Sequence, residues 1–506
     1  MTNTFKTYSR ENGGRVLLLF LLFLLAIYQL THAGFSSFAV VCLIPLIILA
    51  VYCEFKWKMI AFWALIIFNY FVQMKDVAIS LPVPLSLPNE MLQIILLAVA
   101  IIDAGENAHF KKCVNLMLFA LIIWCGFCTL EVLNDTCNLG IDIGSWYSGA
   151  RMMAFQLLYI FLVFSIFIST PQNLQRYIIV WGCLSLFSAI WVYKQKNYGF
   201  TNFETTWLWT SGSNTHILNG GSLIRYFSTF SDAANFGCNA AATTAAFIVF
   251  AITAKFNKLR IFYLIVSVCV LYGMFQSGTR TAIFCLAAGL MVYVVLSKSI
   301  KIAVPFSIAF ALFAFILIFT NIGSGNQQIR RMRSAFNKDD ASMNVRDINK
   351  EVMKKYMQDA PWGIGLGMGM NVPANNKYQR MATIPPDSEY VFIWLRTGTI
   401  GLIVFIITML IMLGGACWTV MFKLKSKSLI GIGGGLCCAF VSIQLAGYAN
   451  QVLMQFPNCL IFYGGLSIVY ILPYMEPAWI DYENEQLARL AEKKRLKLEK
   501  KLASRV

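Results

Sequence analysis

Long apolar runs separated by short polar stretches follow one another along the whole chain. Most are long enough to cross a bilayer as a helix, and none alternates with the two-residue period of a membrane β-strand. They lie near residues 16–31, 37–53, 59–73, 89–103, 113–130, 152–170, 177–193, 232–254, 260–276, 281–297, 302–320, 390–416, 429–447 and 457–474. The pattern predicts an all-α polytopic membrane protein with about 12–14 transmembrane helices.

The first apolar run follows Lys6, Arg10 and Arg15 and so resembles the start of a signal peptide. A second apolar run follows after only a few residues, which argues against a signal peptide that is cleaved off. We therefore expect the first run to be a retained helix.

Composition supports the membrane assignment and adds an orientation. Of the 506 residues, 58% are hydrophobic and 13% are charged, which is too little polar surface for a soluble protein of this length. The net charge of +17 is concentrated in alternate short connections, as expected of cytoplasmic loops. Those connections carry Lys56, Lys58, Lys111, Lys112, Arg176, Lys255, Lys258, Arg260, Lys298, Lys301, Lys423, Lys425 and Lys427. Both termini are thus predicted to be cytoplasmic.

The C-terminal residues 476–506 form a basic tail, which we expect to lie against anionic lipid headgroups. The basic residues have no interleaved aromatic residues, so nucleic acid is not an expected partner. The opposite side of the membrane receives the long connections 131–151, 194–231 and 321–389. The last of these carries both charge signs and is predicted to form one or two amphipathic helices.

Two motifs in the chain imitate cofactor or redox sites. Cys125 and Cys128 have the spacing of a redox pair but lie inside an apolar span, so we expect two buried cysteines. Gly363 to Gly369 imitate a dinucleotide loop without a surrounding strand–helix unit, which indicates a tight turn in the large loop. The three histidines are too scattered for a metal cluster, so we expect no metal and no cofactor.

Arginines gather on the side opposite the basic connections. Arg280 stands in a very short turn between two apolar runs, where an unpaired guanidinium is costly. The other arginines on this side are Arg151, Arg225, Arg330, Arg331, Arg333 and Arg346. Any of them could simply anchor a helix end at the headgroups. Converging guanidinium groups are also good ligands for phosphate oxygens, so a lipid pyrophosphate is the alternative interpretation.

Three stretches of the chain resemble the O-antigen ligase and polymerase superfamily of bacterial envelope glycosyltransferases. They are "RYFSTFSDAANFG", "FQSGTRTAIFCLAAGLMVYVVL" and the pair "NVRDINKEVMKKYMQDAPWGIGLGMGM" and "PPDSEYVFIWLRTGTIGL". Their order and spacing together make the resemblance fairly specific over roughly residues 220–416. It divides the chain into helices at 1–220, a ligase-like core at 221–416 with its periplasmic loop at 321–389, helices at 417–475 and the tail at 476–506.

The resemblance implies a GT-C-type enzyme of the bacterial inner membrane whose site faces the periplasm. Such enzymes move a glycan from undecaprenyl pyrophosphate to an acceptor hydroxyl, without metal or nucleotide sugar. The acceptor is a second lipid-linked glycan in polymerases, lipid A–core in ligases and a protein hydroxyl in O-oligosaccharyltransferases. By this resemblance Arg280, Arg225 and Arg346 would bind the pyrophosphate. The substrate loop would include Arg151, Arg330, Arg331, Arg333 and Tyr390.

The chain departs from the ligase pattern at the start of the helix that follows the large loop. Where ligases of the superfamily present a histidine, this chain reads Asp387-Ser388-Glu389-Tyr390. The change favours a polymerase over a ligase. Asp387 or Glu389 could accept the acceptor's proton in an inverting displacement. Alternatively, Asp387 or Ser388 could serve only as the helix N-cap.

A polysaccharide flippase or another transporter is the second class of function that the apolar pattern allows. A transporter is expected to place paired charges around a cavity in mid-membrane. Here nearly all charge lies at the ends of the spans, and the largest polar segment lies on one side. The distribution favours chemistry at one membrane face.

Overall fold

The computed structural model describes residues 13–32, 48–49, 51–53, 55–57, 59–74, 86–103, 110–218, 221, 223–298, 304–305, 307–308, 311–312, 315–316, 319–322, 325, 330–331, 333, 341–367, 372–383 and 387–503. In chain order the helices are α1 (Gly13–His32), α2 (Ile60–Phe71), α3 (Ser86–Asp103), α4 (Leu116–Leu130), α5 (Ile143–Phe167), α6 (Pro171–Asn197), α7 (Asn202–Thr210), α8 (Ser213–His216), α9 (Ala233–Thr253), α10 (Asn257–Gln276), α11 (Thr281–Leu296), α12 (Ala341–Met357), α13 (Gln379–Thr383), α14 (Glu389–Trp418), α15 (Lys427–Ala449) and α16 (Gly464–Ala503). Two short antiparallel strands, β1 (Ile217–Leu218) and β2 (Leu223–Ile224), form a hairpin between α8 and α9.

The predicted all-α polytopic architecture is confirmed. Among the described residues, eight helices are long and apolar enough to cross a membrane. Three shorter apolar helices lie at Ile60–Phe71, Asn89–Ile102 and Thr281–Leu296. The predicted spans at 37–53 and 302–320 fall largely outside the described residues.

Two predicted spans have different limits in the structure. α5 begins at Ile143 rather than near residue 152, because Asp142 caps its first turn by accepting hydrogen bonds from the N–H groups of Gly144 and Ser145. The last span continues beyond residue 474 as α16 to Ala503, through Pro473 and Pro477. The basic tail is therefore helical in its described part.

The chain divides into two compact units. One consists of Met1–Leu65 and Ala78–Ala108, and the other of Ile66–Val77 and His109–Val506. All contacts described below lie within the second, larger unit.

The alanine-rich helix α9 is buried over most of its length. Small residues let its neighbours approach closely, as is usual between membrane helices. A Cβ at Gly431 of α15 would lie 2.0 Å from Thr253 Oγ1, and a Cβ at Gly435 would lie 2.4 Å from a Phe250 ring carbon. α9 therefore packs directly against the backbone of α15, and α10 and α11 flank it.

Basic residues gather at one end of the larger unit, which we call the basic end. Lys255 forms an ion pair with the buried Glu483 of α16 at 3.2 Å. Glu476 Oε1 accepts hydrogen bonds from the backbone N–H groups of Lys425 and Ser426 at 2.8 and 2.6 Å. Lys298 Nζ donates to the carbonyl of Met421 at 2.7 Å. The first two contacts join α16 to the α9–α10 connection and to the start of α15, and the third joins the end of α11 to the turn that follows α14.

Candidate active site at the N-terminal end of α9

The short turn between α10 and α11, residues 277–280, is built into the start of α9. Gly278 has φ 59°, a left-handed value that favours glycine. Thr279 Oγ1 donates to the carbonyl of Ala233 at 2.8 Å, and Ser277 Oγ donates to that of Met274 at 2.7 Å. A Cβ at Gly237 would lie 2.3 Å from Ser277 Oγ, so only glycine admits this approach. The turn is thereby fixed, with Arg280 half-buried at its end.

Arg225 lies against the same turn. Its Nε donates to the carbonyl of Ser277 at 3.2 Å, its Nη2 to Thr279 Oγ1 at 3.1 Å and its Nη1 to the carbonyl of Thr215 at 3.0 Å. Its backbone N–H donates to the carbonyl of His216 at 2.9 Å. The guanidinium thus connects the β1–β2 hairpin region to the residues that precede Arg280.

Arg331 brings the large polar segment to this turn. Its Nε donates to the carbonyl of Gly278 at 2.7 Å. Of the arginines predicted from the sequence, Arg225, Arg280 and Arg331 therefore meet at residues 277–280. Three cations so placed favour an anion among them, because charge-assisted hydrogen bonds to phosphate oxygens are strong.

The other predicted arginines lie elsewhere. Arg333 donates to the carbonyl of Ile322 at 2.6 Å, and Arg330 is exposed. Arg151 begins a π-helical turn, Arg151–Phe155, inside α5. Arg346 lies on α12, and its side chain is outside the described part of the structure.

A buried polar network, which the sequence analysis did not assign, surrounds the first turn of α9. Asp232 caps this helix by accepting hydrogen bonds from the N–H groups of Ala234 and Asn235 at 2.7 and 2.9 Å. Ser231 Oγ donates to Gln455 Oε1 at 2.6 Å, and Asn235 Nδ2 donates to the same oxygen at 2.7 Å. The signal available in the sequence was the stretch "SDAANFG", which places polar side chains before and inside an apolar helix.

The residues that begin α14 have distinct environments. Ser388 is the N-cap: its Oγ accepts from Val391 N and donates to the carbonyl of Gly447 at 3.0 Å. Glu389 is buried, and its Oε2 accepts from the N–H of Leu453 at 3.0 Å. Tyr390 donates from its hydroxyl to Gln444 Oε1 at 3.1 Å. Asp387 is exposed. The capping alternative is thus borne out for Ser388.

Residues 452–458 connect the start of α14 to the polar network. Leu453 binds Glu389, while Asn458 Oδ1 accepts from Asn239 Nδ2 of α9 at 2.8 Å. Asn458 Nδ2 also donates to the carbonyl of Val452 at 3.0 Å. Asp387 and Glu389 therefore belong to the same end of the bundle as the arginine turn.

The glycine-rich stretch after residue 360 forms the predicted tight turn, with Gly363 at φ 76° and Gly365 at φ 96°. It lies against a break in α14 at Gly398, where φ is 69°. Three hydrogen bonds join the turn to the break: Ile364 N to the carbonyl of Leu395, Gly365 N to that of Arg396, and Thr399 N to that of Pro361, at 3.0, 3.0 and 3.1 Å. The turn thus replaces helical hydrogen bonds that α14 cannot make across the break.

The large polar segment also has a small hydrophobic core of its own. Its members come from the end of α12, the tight turn, α13, α14 and the 131–142 connection: Cys137, Met357, Ala360, Ile364, Tyr378, Met381 and Leu395. α12 presents Met353 and Met357 inward and Lys354 and Lys355 outward, which confirms the predicted amphipathic helix. The described part of this segment is therefore packed onto the bundle next to α14.

The cysteines that imitated a redox pair have a structural explanation. Cys125 and Cys128 are buried within α4, as predicted. Cys137 is buried as well, and its Sγ donates to the carbonyl of Ile364 at 3.6 Å. Among the described residues, no group of three or more His, Cys, Asp and Glu side chains is placed to hold a metal ion.

Taken with its apolar helices, this site defines a polytopic membrane protein in which a polar network and an arginine cluster lie at the end of the bundle opposite the basic end. Residues 265–406 match the family model of the O-antigen ligases, Wzy_C. The matched region runs from α10 through the arginine turn and the large polar segment into α14. The match supports a relationship of this chain to the O-antigen ligase/polymerase superfamily. The members of that family are glycosyltransferase-like enzymes. A comparison with curated proteins finds no match.

Proposed function

We propose that this protein is a membrane glycosyltransferase that moves a glycan from undecaprenyl pyrophosphate to an acceptor hydroxyl. The observation that carries the proposal is the convergence of Arg225 and Arg331 on the turn that presents Arg280. A diphosphate accepts several charge-assisted hydrogen bonds, and guanidinium groups donate them in pairs. Cations held in advance around the leaving group also stabilise the charge that develops on it.

In the proposed reaction the acceptor oxygen attacks the anomeric carbon of the donor glycan. The bond from that carbon to the pyrophosphate oxygen breaks, which inverts the configuration and leaves the pyrophosphate with the bond's electron pair. The acceptor's proton passes to a carboxylate. Asp387 is the better candidate, because it is exposed, whereas Glu389 is buried and accepts from the N–H of Leu453.

The charge distribution supports an orientation for this site. The basic end carries the α9–α10 and α14–α15 connections and α16, which the positive-inside rule assigns to the cytoplasm. The arginine turn lies at the opposite end of α10. The donor would then be used at the periplasmic face of a bacterial inner membrane, with both termini cytoplasmic and membrane lipids around the helices.

A polymerase is the preferred form of this activity, since Asp387 occupies the place where ligases of the superfamily present a histidine. Ligation to lipid A–core and transfer to a protein hydroxyl are the alternatives. Deletion of the gene followed by electrophoresis of surface glycans separates them. Core with a single repeat indicates lost polymerisation, whereas bare core with polymer retained on the lipid carrier indicates lost ligation. Unchanged surface glycans and unchanged protein glycosylation would reject the proposal.

A further inference from the structure

Arg396 lies seven residues after Glu389, the first residue of α14, and two residues before the break at Gly398. It is half-buried, and its Nε and Nη1 are buried without a hydrogen-bond partner in the part of the chain that the structure describes. Arg225 and Arg331, by contrast, donate to the backbone of the arginine turn. Buried guanidinium N–H groups normally have acceptors, so the environment of Arg396 requires an explanation.

Among the described residues, the groups that act on Arg396 are an aromatic ring and a thiol, and neither carries a full negative charge. Its guanidinium carbon lies 5.3 Å from the centre of the Phe392 ring. Cys137 is the titratable group that faces it, and burial raises the pKa of this thiol, which keeps it neutral. Asp135, the carboxylate that acts on Cys137, accepts from the N–H groups of Leu139 and Gly140 at 2.8 and 3.1 Å, and Glu389 of the same helix as Arg396 accepts from Leu453 N.

Anchoring at lipid headgroups does not explain this side chain. An arginine that anchors a helix extends its guanidinium into the headgroup region, where water and phosphates hydrate it. Here the backbone of Arg396 is fixed by Gly365 N, and a Cβ at Gly363 would lie 2.5 Å from its carbonyl carbon. The tight turn thus holds the residue in place with two of its nitrogens enclosed. A half-buried guanidinium with two enclosed nitrogens that lack a partner is a candidate for a functional site.

The position of Arg396 connects it to the proposed active site. Glu389, Phe392 and Arg396 follow one another at spacings of three and four residues, so they lie along one face of α14. Glu389 on that face binds residue 453 of the segment that joins the polar network. Seven residues of helix separate Glu389 from Arg396 by about 10 Å. A group bound at Arg396 would be at that distance from the start of α14.

We propose that Arg396 binds an anionic oxygen group of the glycan substrate, separately from the arginine turn. This inference rests on the proposed function for the identity of the substrate. The group is either the carboxylate of an acidic sugar or a phosphate oxygen of a second lipid-linked glycan, since the guanidinium fork fits both. Arg396 would then select acceptors or donors by charge at a position remote from the bond that breaks.

The test is thermal unfolding of the purified full-length protein in detergent, with sodium glucuronate, inorganic pyrophosphate or sodium chloride at equal ionic strength. The variants are Arg396→Met, Arg396→Lys and the control Arg380→Met, which replaces an exposed arginine of α13. An anion that binds the folded state should raise the wild-type melting temperature by about 2–5 °C near saturation. Arg396→Met should lose at least half of that rise, Arg396→Lys should keep part of it, and Arg380→Met should keep all of it.

The outcome separates the ligand sources and the two proposals. A rise with glucuronate that Arg396→Met loses indicates a sugar carboxylate at Arg396, and a rise with pyrophosphate that Arg396→Met loses indicates a phosphate there. A rise with pyrophosphate that Arg396→Met keeps in full is assigned to the arginine turn. If the anions stabilise wild type and Arg396→Met equally, or stabilise neither, the inference is overturned and Arg396 is a packing residue. The measurement needs no glycan transfer, so it can succeed even if the proposed reaction is wrong, and it can fail while transfer is retained.

Discussion

Arg225 and Arg331 use their guanidinium groups partly to hold the backbone next to Arg280. Arg225 commits one N–H from each of its three nitrogens to Ser277, Thr215 and Thr279. Arg225 therefore positions the turn, whereas Arg280, at the end of the turn, is the proposed principal ligand of the pyrophosphate.

Arg280→Ala should abolish glycan transfer with little change in protein abundance. Each charge-assisted hydrogen bond lost is worth about 1.5–3 kcal/mol, which is roughly one to two orders of magnitude in rate per contact. Arg280→Lys should restore only part of the activity, because an ammonium cannot donate as a planar fork. Turnover of lipid-linked glycan at matched protein level is the measurement, with Arg380→Ala as a control. Wild-type turnover in Arg280→Ala would leave Arg280 a helix anchor.

Asp387→Asn tests the proposed base. Loss of a general base typically lowers the rate by about 10²–10⁴. The cap of α14 is Ser388, so the change should leave the start of the helix intact. Ser388→Ala is the matched control and should cost about 1 kcal/mol of stability without a comparable loss of rate. Glu389→Gln keeps an acceptor for Leu453 N and should retain more activity than Asp387→Asn. Equal and normal rates in both amide variants would make the carboxylates structural.

At the scale of elements, the most specific contact is that between the tight turn and the break in α14. The turn approaches so closely that a Cβ at Gly398 would lie 1.9 Å from the carbonyl oxygen of Pro361. Gly363 and Gly398 also have positive φ values. The large polar segment therefore depends on two glycines far apart in sequence for its place on the bundle.

Gly398→Ala should destabilise the protein by about 2–4 kcal/mol, through strain at positive φ and a collision with the Pro361 carbonyl. Gly414→Ala in the same helix is the control, because a Cβ there meets nothing within 4 Å. That change should be neutral or stabilising by up to about 1 kcal/mol, since alanine favours helix. Denaturation of the purified protein measures both. Equal stabilities would show that the break tolerates a side chain.

The apolar runs predicted where the helices lie, because a segment that spans lipid must be apolar over its whole length and such a run is visible in the sequence. It did not predict the start of α5 at Ile143 or the continuation of α16 to Ala503, because both depend on contacts at helix ends. The pairing of Arg225 with residues 277–279 was equally inaccessible, since it joins positions about fifty residues apart through the Ser277 carbonyl and the Thr279 hydroxyl. Arg396 went unassigned because its environment depends on a turn formed by residues 361–365.

At the scale of the whole molecule, charge separates the two ends of the helices. Lys255, Lys298 and Lys425 lie at the basic end, while Arg225, Arg280 and Arg331 lie at the α10–α11 turn. This difference predicts the orientation of the protein in the membrane, because lysine and arginine in short loops are retained on the cytoplasmic side. The arginine turn is adjacent to the long connections, which can cross despite their charge.

Cysteine labelling tests this orientation. Ala374→Cys replaces an exposed residue of the large polar segment, and Asn257→Cys replaces the exposed first residue of α10, next to the α9–α10 connection. In cells with a permeabilised outer membrane, an impermeant maleimide should label the first variant and spare the second. The unmodified protein gives the background from its native cysteines. If only Asn257→Cys is labelled, the orientation is the reverse of the proposed one and the site does not face the periplasm.

The three hydrogen bonds between the tight turn and α14 also have a kinetic consequence. The amides of Ile364, Gly365 and Thr399 are protected only while both segments stay together. Parting them would leave these donors and the carbonyls of residues 361, 395 and 396 without partners, so they should open as a single cooperative unit. Hydrogen–deuterium exchange should then proceed at one common rate for peptides covering residues 361–367 and 395–401. Arg396 lies inside that unit, so its side chain would become exposed to solvent at the same rate at which the unit opens.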